Sequence, residues 1–388
     1  MSPAAPKSLE LIRRLIAFDT TSVKSNLALI DFVREFLASH GIESQLVHNE
    51  ERSKANLYAT IGPEDRPGVM LSGHSDVVPV TGQAWDSDPF DVLERDGKLY
   101  GRGTADMKSF IAAALAFVPE MAASDLKTPI HLAISYDEEI GCVGVRRLLE
   151  MMAGLPIRPA MCVIGEPTGM KVVIGHKGKR AFRVRVRGLE CHSSLAPAGV
   201  NAVDYAAELI VFIRQLAKRL AAEGPFEAEY EVAHTTLHSG LVQGGTALNI
   251  VPKDCFFDFE IRNLPDQDPE PLIEEITAYA RNTLEPEMQA VDPASGFAFE
   301  ALSGYPGLDT GPGEEVVTFV KSLVGANDHK KITFGTEGGL FQGQLGVPTV
   351  VCGPGHIAQA HKPNEWIELS QVAACEAFMG RLIERLAT

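Results

Sequence analysis

Two kinds of strand pattern, and the order in which they occur, constrain the fold of this chain more than any other feature. "GVMLSGH", "PIHLAISY" and "AMCVIGE" in the first half, and "VPTVVCGPG" near the C-terminus, are continuous apolar runs. That is the pattern of strands buried on both faces. Between them, "AFRVRVRG" and "DCFFDFEIR" alternate strictly. Phe182, Val184 and Val186 face one way and Arg183, Arg185 and Arg187 the other; Phe257, Phe259 and Ile261 oppose Asp258, Glu260 and Arg262. Such strands have one wet face. Helical patterns at 9–17 and 28–39 and in "MKSFIAAALAFVPEM" separate the buried runs, and a long one spans 201–222. The expected fold class is α/β: a central-sheet domain with helices on both faces, residues 1–176 and 292–388. Inserted into it is a smaller α+β domain of a sheet and two helices, residues 177–291. A length of 388 residues agrees with two cores rather than one.

The formal net charge of −16 argues against nucleic acid or an anionic membrane surface as partner, and leaves a cationic small molecule open. No run approaches the roughly 20 apolar residues of a membrane span. The opening "MSPAAPKSLELIRRL" has no apolar signal core, so the expected location is cytoplasmic. Six scattered cysteines without a CxxC spacing read as reduced, mostly buried thiols.

Potential metal ligands and acids stand where the buried runs end. "VMLSGHSD" ends in His74 and Asp76, "HLAISYDEE" in Glu138 and Glu139, and "AMCVIGE" in Glu166. "TVVCGPGHIAQAH" leads to His356 and His361, and Asp106 lies in a Gly-containing loop before a helix. In open α/β sheets the carboxyl ends of the strands form the ligand crevice. Histidines and carboxylates without cysteine suit zinc or another ion that accepts nitrogen and oxygen. The carboxylates outnumber the needs of one ion, so a two-metal site with one bridging carboxylate is expected. Spacing alone does not choose between His356 and His361. Asp76, two residues from His74 and on the same side of an extended chain, is positioned to accept the second ring N–H of His74. Asp137 is expected to cap its turn or bind backbone N–H groups.

The motifs "SGHSDVVP", "LYGRGTADMK", "DEEIGCVG", "IGEPT", "HKGKRAFRVRVRGLECHSS" and "GPGHIAQAHKPNEW" extend over nearly the whole chain. Together they resemble the acetylornithine deacetylase and succinyl-diaminopimelate desuccinylase family of co-catalytic zinc amidohydrolases. The resemblance implies an inserted domain that dimerises and two divalent metal ions, zinc or alternatively cobalt. By the same resemblance His74 and Glu166 would hold one ion, Glu139 and His361 the other, and Asp106 would bridge them. Glu138 would be the general base and Asp76 would orient His74. His192 in "CHSS" would reach the active site of a neighbouring subunit and steady the oxyanion. Asn249 and Arg262 match positions that bind a substrate carboxylate.

"PAGVNAV", "GGTALNIVP" and "AHKPNEW" draw the chain toward the acetylornithine deacetylase branch. "FGTEGGLFQ" departs from the Thr-Ser-Gly-Gly-Thr-like segment of the desuccinylases, and its Glu337 is expected to read the side-chain amine of an ornithine-like substrate. The expected reaction is removal of the acetyl group from N-acetyl-L-ornithine, giving ornithine and acetate. The alternatives are another N-acyl-amino-acid amidohydrolase (aminoacylase, desuccinylase or dipeptidase-like) and a metal-binding homologue without catalysis. Cys191 beside His192 is not expected to act as a nucleophile, and "GRG" lacks the spacing of a dinucleotide fingerprint.

Overall fold

The computed structural model describes residues 6–388. The chain forms two compact units. The first comprises residues up to Gly175, Leu308–Lys331 and Thr336–Thr388; the second comprises His176–Gly307 and Ile332–Gly335.

A mixed sheet of nine strands among the described residues carries the first unit. Its centre is the parallel set Ile130–Ser135, Val69–His74, Met161–Pro167 and Thr349–Gly353, hydrogen-bonded in that spatial order. These are the continuous apolar runs, and the first three are buried along their whole length. Register brings their carboxyl ends level: His74 lies opposite Ser135, and Ser72 opposite Ile164. Helix Lys108–Ala116, apolar from Phe110 onward, is buried against the sheet, as a helix without a polar face must be. Its packing is close: a Cβ on Gly165 would stand 2.1 Å from the Phe110 ring. The pattern read as one helix from Met107 to Met121 breaks at Phe117, and a second helix runs Val118–Ala123. Pro119 has no N–H to donate to the preceding turn, which forces the interruption.

The second unit is a four-stranded antiparallel sheet in the order Thr236–Gly244, Asp254–Arg262, Lys179–Arg187, Gly296–Tyr305. It extends to Gly307 rather than stopping at 291. Strand Gly296–Tyr305 pairs with Lys179–Arg187, and its sequence, "GFAFEALSGY", alternates too weakly to announce itself. Helix Ala202–Glu223 is capped by Asn201, whose side chain accepts from the backbone N–H groups of Val203 and Asp204 at 3.0 and 3.3 Å. Ala206, Leu209, Ile213, Leu216 and Leu220, three or four residues apart, line its buried stripe. They pack with Val184, Val186, Phe257, Phe259 and Ile261 from the alternating strands, each fully buried large side chain contributing about 1.5–3 kcal/mol. On the other face the arginine row meets acids: Arg183 pairs with Asp258 at 2.8 Å and Arg185 with Glu300 at 3.2 Å.

Candidate active site

The parallel strands of the first unit deliver their terminal side chains to one place. His74, the last residue of its strand, points Nε2 at Asp106 Oδ1, 2.9 Å away, and lies 3.5 Å from Glu166 Oε1. His361 Nε2 lies 3.2 Å from Asp106 Oδ2 and 3.0 Å from Glu139 Oε2. One carboxylate, Asp106, therefore faces a histidine through each of its oxygens, and each histidine has a further carboxylate beside it. Donor atoms of His74, Asp106 and Glu139, and of His74, Glu138 and Glu166, also lie close enough together to share an ion. His361 joins this cluster. His356 is exposed and instead stacks its ring over Gly169, where a Cβ would stand 2.3 Å from the ring.

The cluster fits divalent metal. It holds nitrogen and oxygen donors only, its acids outnumber its histidines, and Glu139 Oε1 is buried without a hydrogen-bond partner among the described residues. A buried acceptor oxygen with no donor is a position that a cation can satisfy. Protonation behaviour tells the same story. Burial pushes the carboxyls of Glu138 and Glu166 well above the usual range, with neighbouring carboxylates adding to the rise. Burial likewise raises Glu139 to about 7, with Asp106 contributing. Burial also pulls Asp106 upward, but hydrogen bonds from His361 and His74 outweigh it and hold that carboxyl low. His361, hydrogen-bonded to Asp106 and Glu139, is carried up to about 10.

The scaffold beneath these donors departs from expectation in two respects. His74 Nδ1 is held by the main-chain carbonyl of Asp76 at 2.9 Å, whereas the Asp76 carboxylate is 3.5 Å from it. The carbonyl fixes the ring with Nδ1 protonated and leaves Nε2 free to accept a metal ion. The Asp76 carboxylate is engaged elsewhere: it accepts from the backbone N–H of Glu138 at 3.1 Å, that of Glu139 at 3.3 Å and the Ser22 hydroxyl at 2.8 Å. Asp137 was expected to cap its turn, but its side chain pairs with Lys54 instead.

Residues unassigned from sequence complete the support. Glu365 Oε1 accepts the N–H groups of Ala105 and Asp106 at 2.9 and 3.1 Å, and its Oε2 pairs with Arg102 at 2.7 Å. Both side chains are 1% exposed. Cys142 donates its thiol to Glu138 Oε1 at 3.4 Å. Arg102, Cys142 and Glu365 all lie inside recognisable motifs. The roles of Arg102 and Glu365 were hidden because each acts on backbone or on a side chain distant in sequence, whereas Cys142 reaches a carboxylate only four residues before it.

Glu337 is 2% exposed at the start of helix Gly338–Leu345, and its Oε1 has no hydrogen-bond partner among the described residues. Burial raises its carboxyl to about 7. Three predicted residues belong to the second unit. His192 is exposed and binds the Ser194 hydroxyl through Nδ1 at 2.8 Å, which leaves Nε2 for another partner. Asn249 is exposed. Arg262 is half-buried, with Nε and Nη2 forked onto Glu260 at 3.0 and 3.2 Å and Nη1 on the Tyr305 hydroxyl at 2.8 Å.

A family model described as Peptidase family M20/M25/M40 matches residues 70–385. The chain is 35% identical over 396 aligned residues to the acetylornithine deacetylase of Proteus mirabilis (strain HI4320), covering 99% of this chain and 98% of that protein. Among solved structures, a tripeptidase from Staphylococcus aureus subsp. aureus mu50 superposes with a TM-score of 0.76 at 20% identity, covering 98% of both chains. A dinuclear metal-binding peptidase of the M20 family from Bacillus subtilis superposes with a TM-score of 0.65 at 14% identity, again covering 98% of both.

Proposed function

The chain belongs to peptidase family M20/M25/M40 and is a hydrolase acting on amides, and on that premise we propose that it is a two-zinc acetylornithine deacetylase. The observation that carries the metal part of this reading is Asp106, whose two oxygens face His74 at 2.9 Å and His361 at 3.2 Å. We assign His74 and Glu166 to one ion, Glu139 and His361 to the other, and Asp106 to both. Two bound divalent ions, zinc with cobalt as substitute, would acidify a water and polarise the amide carbonyl. Glu138 takes the proton of the attacking water and delivers it to the departing α-amine. The Cys142 thiol orients the Glu138 carboxylate for that transfer. Asp76 holds the Glu138 and Glu139 backbone and, through its carbonyl, the His74 ring.

Arg262 and Asn249 are assigned to the substrate carboxylate. With its fork already on Glu260, Arg262 would offer a substrate carboxylate only its remaining N–H hydrogens. Glu337 is assigned to the side-chain ammonium of ornithine, because an unpaired buried acceptor is satisfied by a cation. His192 is assigned to the oxyanion, supplied to the site of a second copy. The inserted unit would form that homodimer through edge strand Thr236–Gly244, which leaves Leu241 and Val242 exposed. The proposed location is the cytoplasm; among the described residues no helix is long and apolar enough to cross a membrane.

The test is a substrate panel. Purified protein loaded with zinc or cobalt is assayed on N-acetyl-L-ornithine, succinyl-diaminopimelate, other N-acyl amino acids and dipeptides. N-acetyl-L-ornithine should give the highest kcat/KM. A preference for a neutral N-acyl amino acid would refute the ornithine assignment and keep the amidohydrolase.

A further inference from the structure

We propose that Lys54 is a positioning residue for the adjacent carboxylates Glu138 and Glu139, acting through Asp137 and Ser22; this rests on the two-metal reading above. The turn that carries these carboxylates has an internal conflict. Asp137, Glu138 and Glu139 are consecutive acids, and Asp137 holds φ at +55°. A side-chain-bearing residue in the left-handed region is disfavoured and persists where its surroundings enforce it. Like charges in sequence add a tendency to splay.

Lys54 answers both terms. Its ammonium binds the Asp137 carboxylate and the Ser22 carbonyl at once, and the side chains of Lys54 and Asp137 are each only 12% exposed. The pair is thus largely screened from water, where attraction between charges is strongest. Ser22, held by its carbonyl, turns its hydroxyl to Asp76 Oδ2 at 2.8 Å. Asp76 in turn accepts the N–H groups of Glu138 and Glu139 at 3.1 and 3.3 Å. The turn is gripped from two directions by one cation. Lys54 draws on the side chain of its first residue, and the Ser22–Asp76 relay draws on the backbone of the next two. On the far side, the Asp137 carbonyl accepts from Val143 N–H at 3.0 Å and the Glu138 carbonyl from Cys142 N–H at 2.8 Å. Lys54 is itself anchored. Its backbone N–H donates to Asn49 Oδ1 at 2.9 Å, and the next residue, Ala55, exchanges hydrogen bonds with Asn26 at 2.9 and 3.0 Å. The Lys54 ammonium bonds Asp137 and Ser22, neither of which is a proposed ligand. Its effect is on where Glu139 meets an ion and where Glu138 meets a water.

The test uses the full chain and the variants Lys54→Met and Lys54→Arg. Cobalt and zinc affinities are measured by competition with a chromophoric chelator, together with the visible absorption of the cobalt form, kcat, KM and thermal midpoint. Groups that support a ligand without touching the ion typically change affinity or activity by about 10–100-fold. Lys54→Met should weaken one of the two ions by at least about tenfold, alter the cobalt spectrum and lower kcat with KM little changed, and Lys54→Arg should restore most of each. A Lys54→Met protein with a lower thermal midpoint but wild-type cobalt spectrum, affinities and kcat overturns the proposal and makes Lys54 a brace of the fold. If Lys54→Met does not accumulate folded, Ser22→Ala removes a single hydroxyl from the relay; an unchanged cobalt spectrum and affinity there overturns it equally. Wild-type protein that binds neither ion refutes the metal reading itself, an outcome separate from either result on the variants.

Discussion

Removing the guanidinium of Arg102 should be among the most costly single changes in the first unit. Arg102 and Glu365 are each 1% exposed and joined at 2.7 Å. A second guanidinium nitrogen donates to Gln83 at 2.6 Å, and the group lies 5.1 Å from the centre of the Trp85 ring. Arg102→Met keeps most of the apolar stem and deletes the charge. A hydrogen bond to a charged group contributes about 1.5–3 kcal/mol, and the cation–ring contact about 0.5–2 kcal/mol. The variant also strands Glu365 as a buried anion, held by backbone N–H groups alone, among them those of Ala105 and Asp106. Breaking one side of a buried pair costs about 3–5 kcal/mol, in keeping with those parts. Urea unfolding followed by intrinsic fluorescence reads this unit selectively, because both tryptophans, Trp85 and Trp366, lie in it. Adding Glu365→Gln keeps an oxygen for the two N–H groups and removes the stranded charge. The double variant should therefore recover at least about 1 kcal/mol of the loss. A loss below about 1 kcal/mol for Arg102→Met, or no recovery in the double variant, would refute the argument from a stranded charge.

Glu138→Gln should lower turnover by about 10²–10⁴-fold while elemental analysis finds wild-type metal content; an active variant would move the general base elsewhere. Asp106→Ala removes the carboxylate shared by both histidines and should leave dialysed protein short of metal, whereas full occupancy would count against the bridge. Burial holds His131 down to about 4, against an ordinary 6.5. Its neutral form is therefore favoured on folding. That stability is complete above pH 6.5 and is lost as pH falls toward 4, up to about 3 kcal/mol for 2.5 units at 1.36 kcal/mol each. His131→Gln should flatten the stability–pH curve between pH 6.5 and 4, and an unchanged slope would remove His131 from that account.

The sheet was readable in the sequence because burial on both faces leaves an unmistakable run, as in "HLAIS" and "MCVIG". The ends of those runs were informative for the same reason: an apolar strand that stops at His74 or Glu166 places a polar group at the edge of the core. Strand Gly296–Tyr305 was missed because its alternation is diluted by Gly and Ala, and only pairing with Lys179–Arg187 makes it a strand. The supports were harder still. Lys54 and Asp137 are 83 residues apart, and Arg102 and Glu365 263 apart. A buried ion pair leaves no periodic trace in either segment. His74 shows a subtler limit: "HSD" predicts a partner from Asp76 but not that its carbonyl, rather than its carboxylate, supplies it.

The sheet edge at Val173–His176 has an implication for how such a chain can change over time. Strand Leu308–Asp309 is its hydrogen-bonded neighbour, Thr310 N–H reaches the Ile174 carbonyl at 2.8 Å, and Lys330–Ile332 also pairs with it. The polypeptide leaves the sheet and re-enters it at adjacent positions. To the sheet, everything between is one long surface loop, and each doubling of a loop adds only about 0.6 kcal/mol of closure entropy. A gene could therefore trim, extend or exchange the intervening segment without re-threading a single parallel strand. His74, Asp106, Glu138, Glu139, Glu166 and His361 all lie outside it. Recombination at this edge would leave this cluster of histidines and carboxylates unaltered.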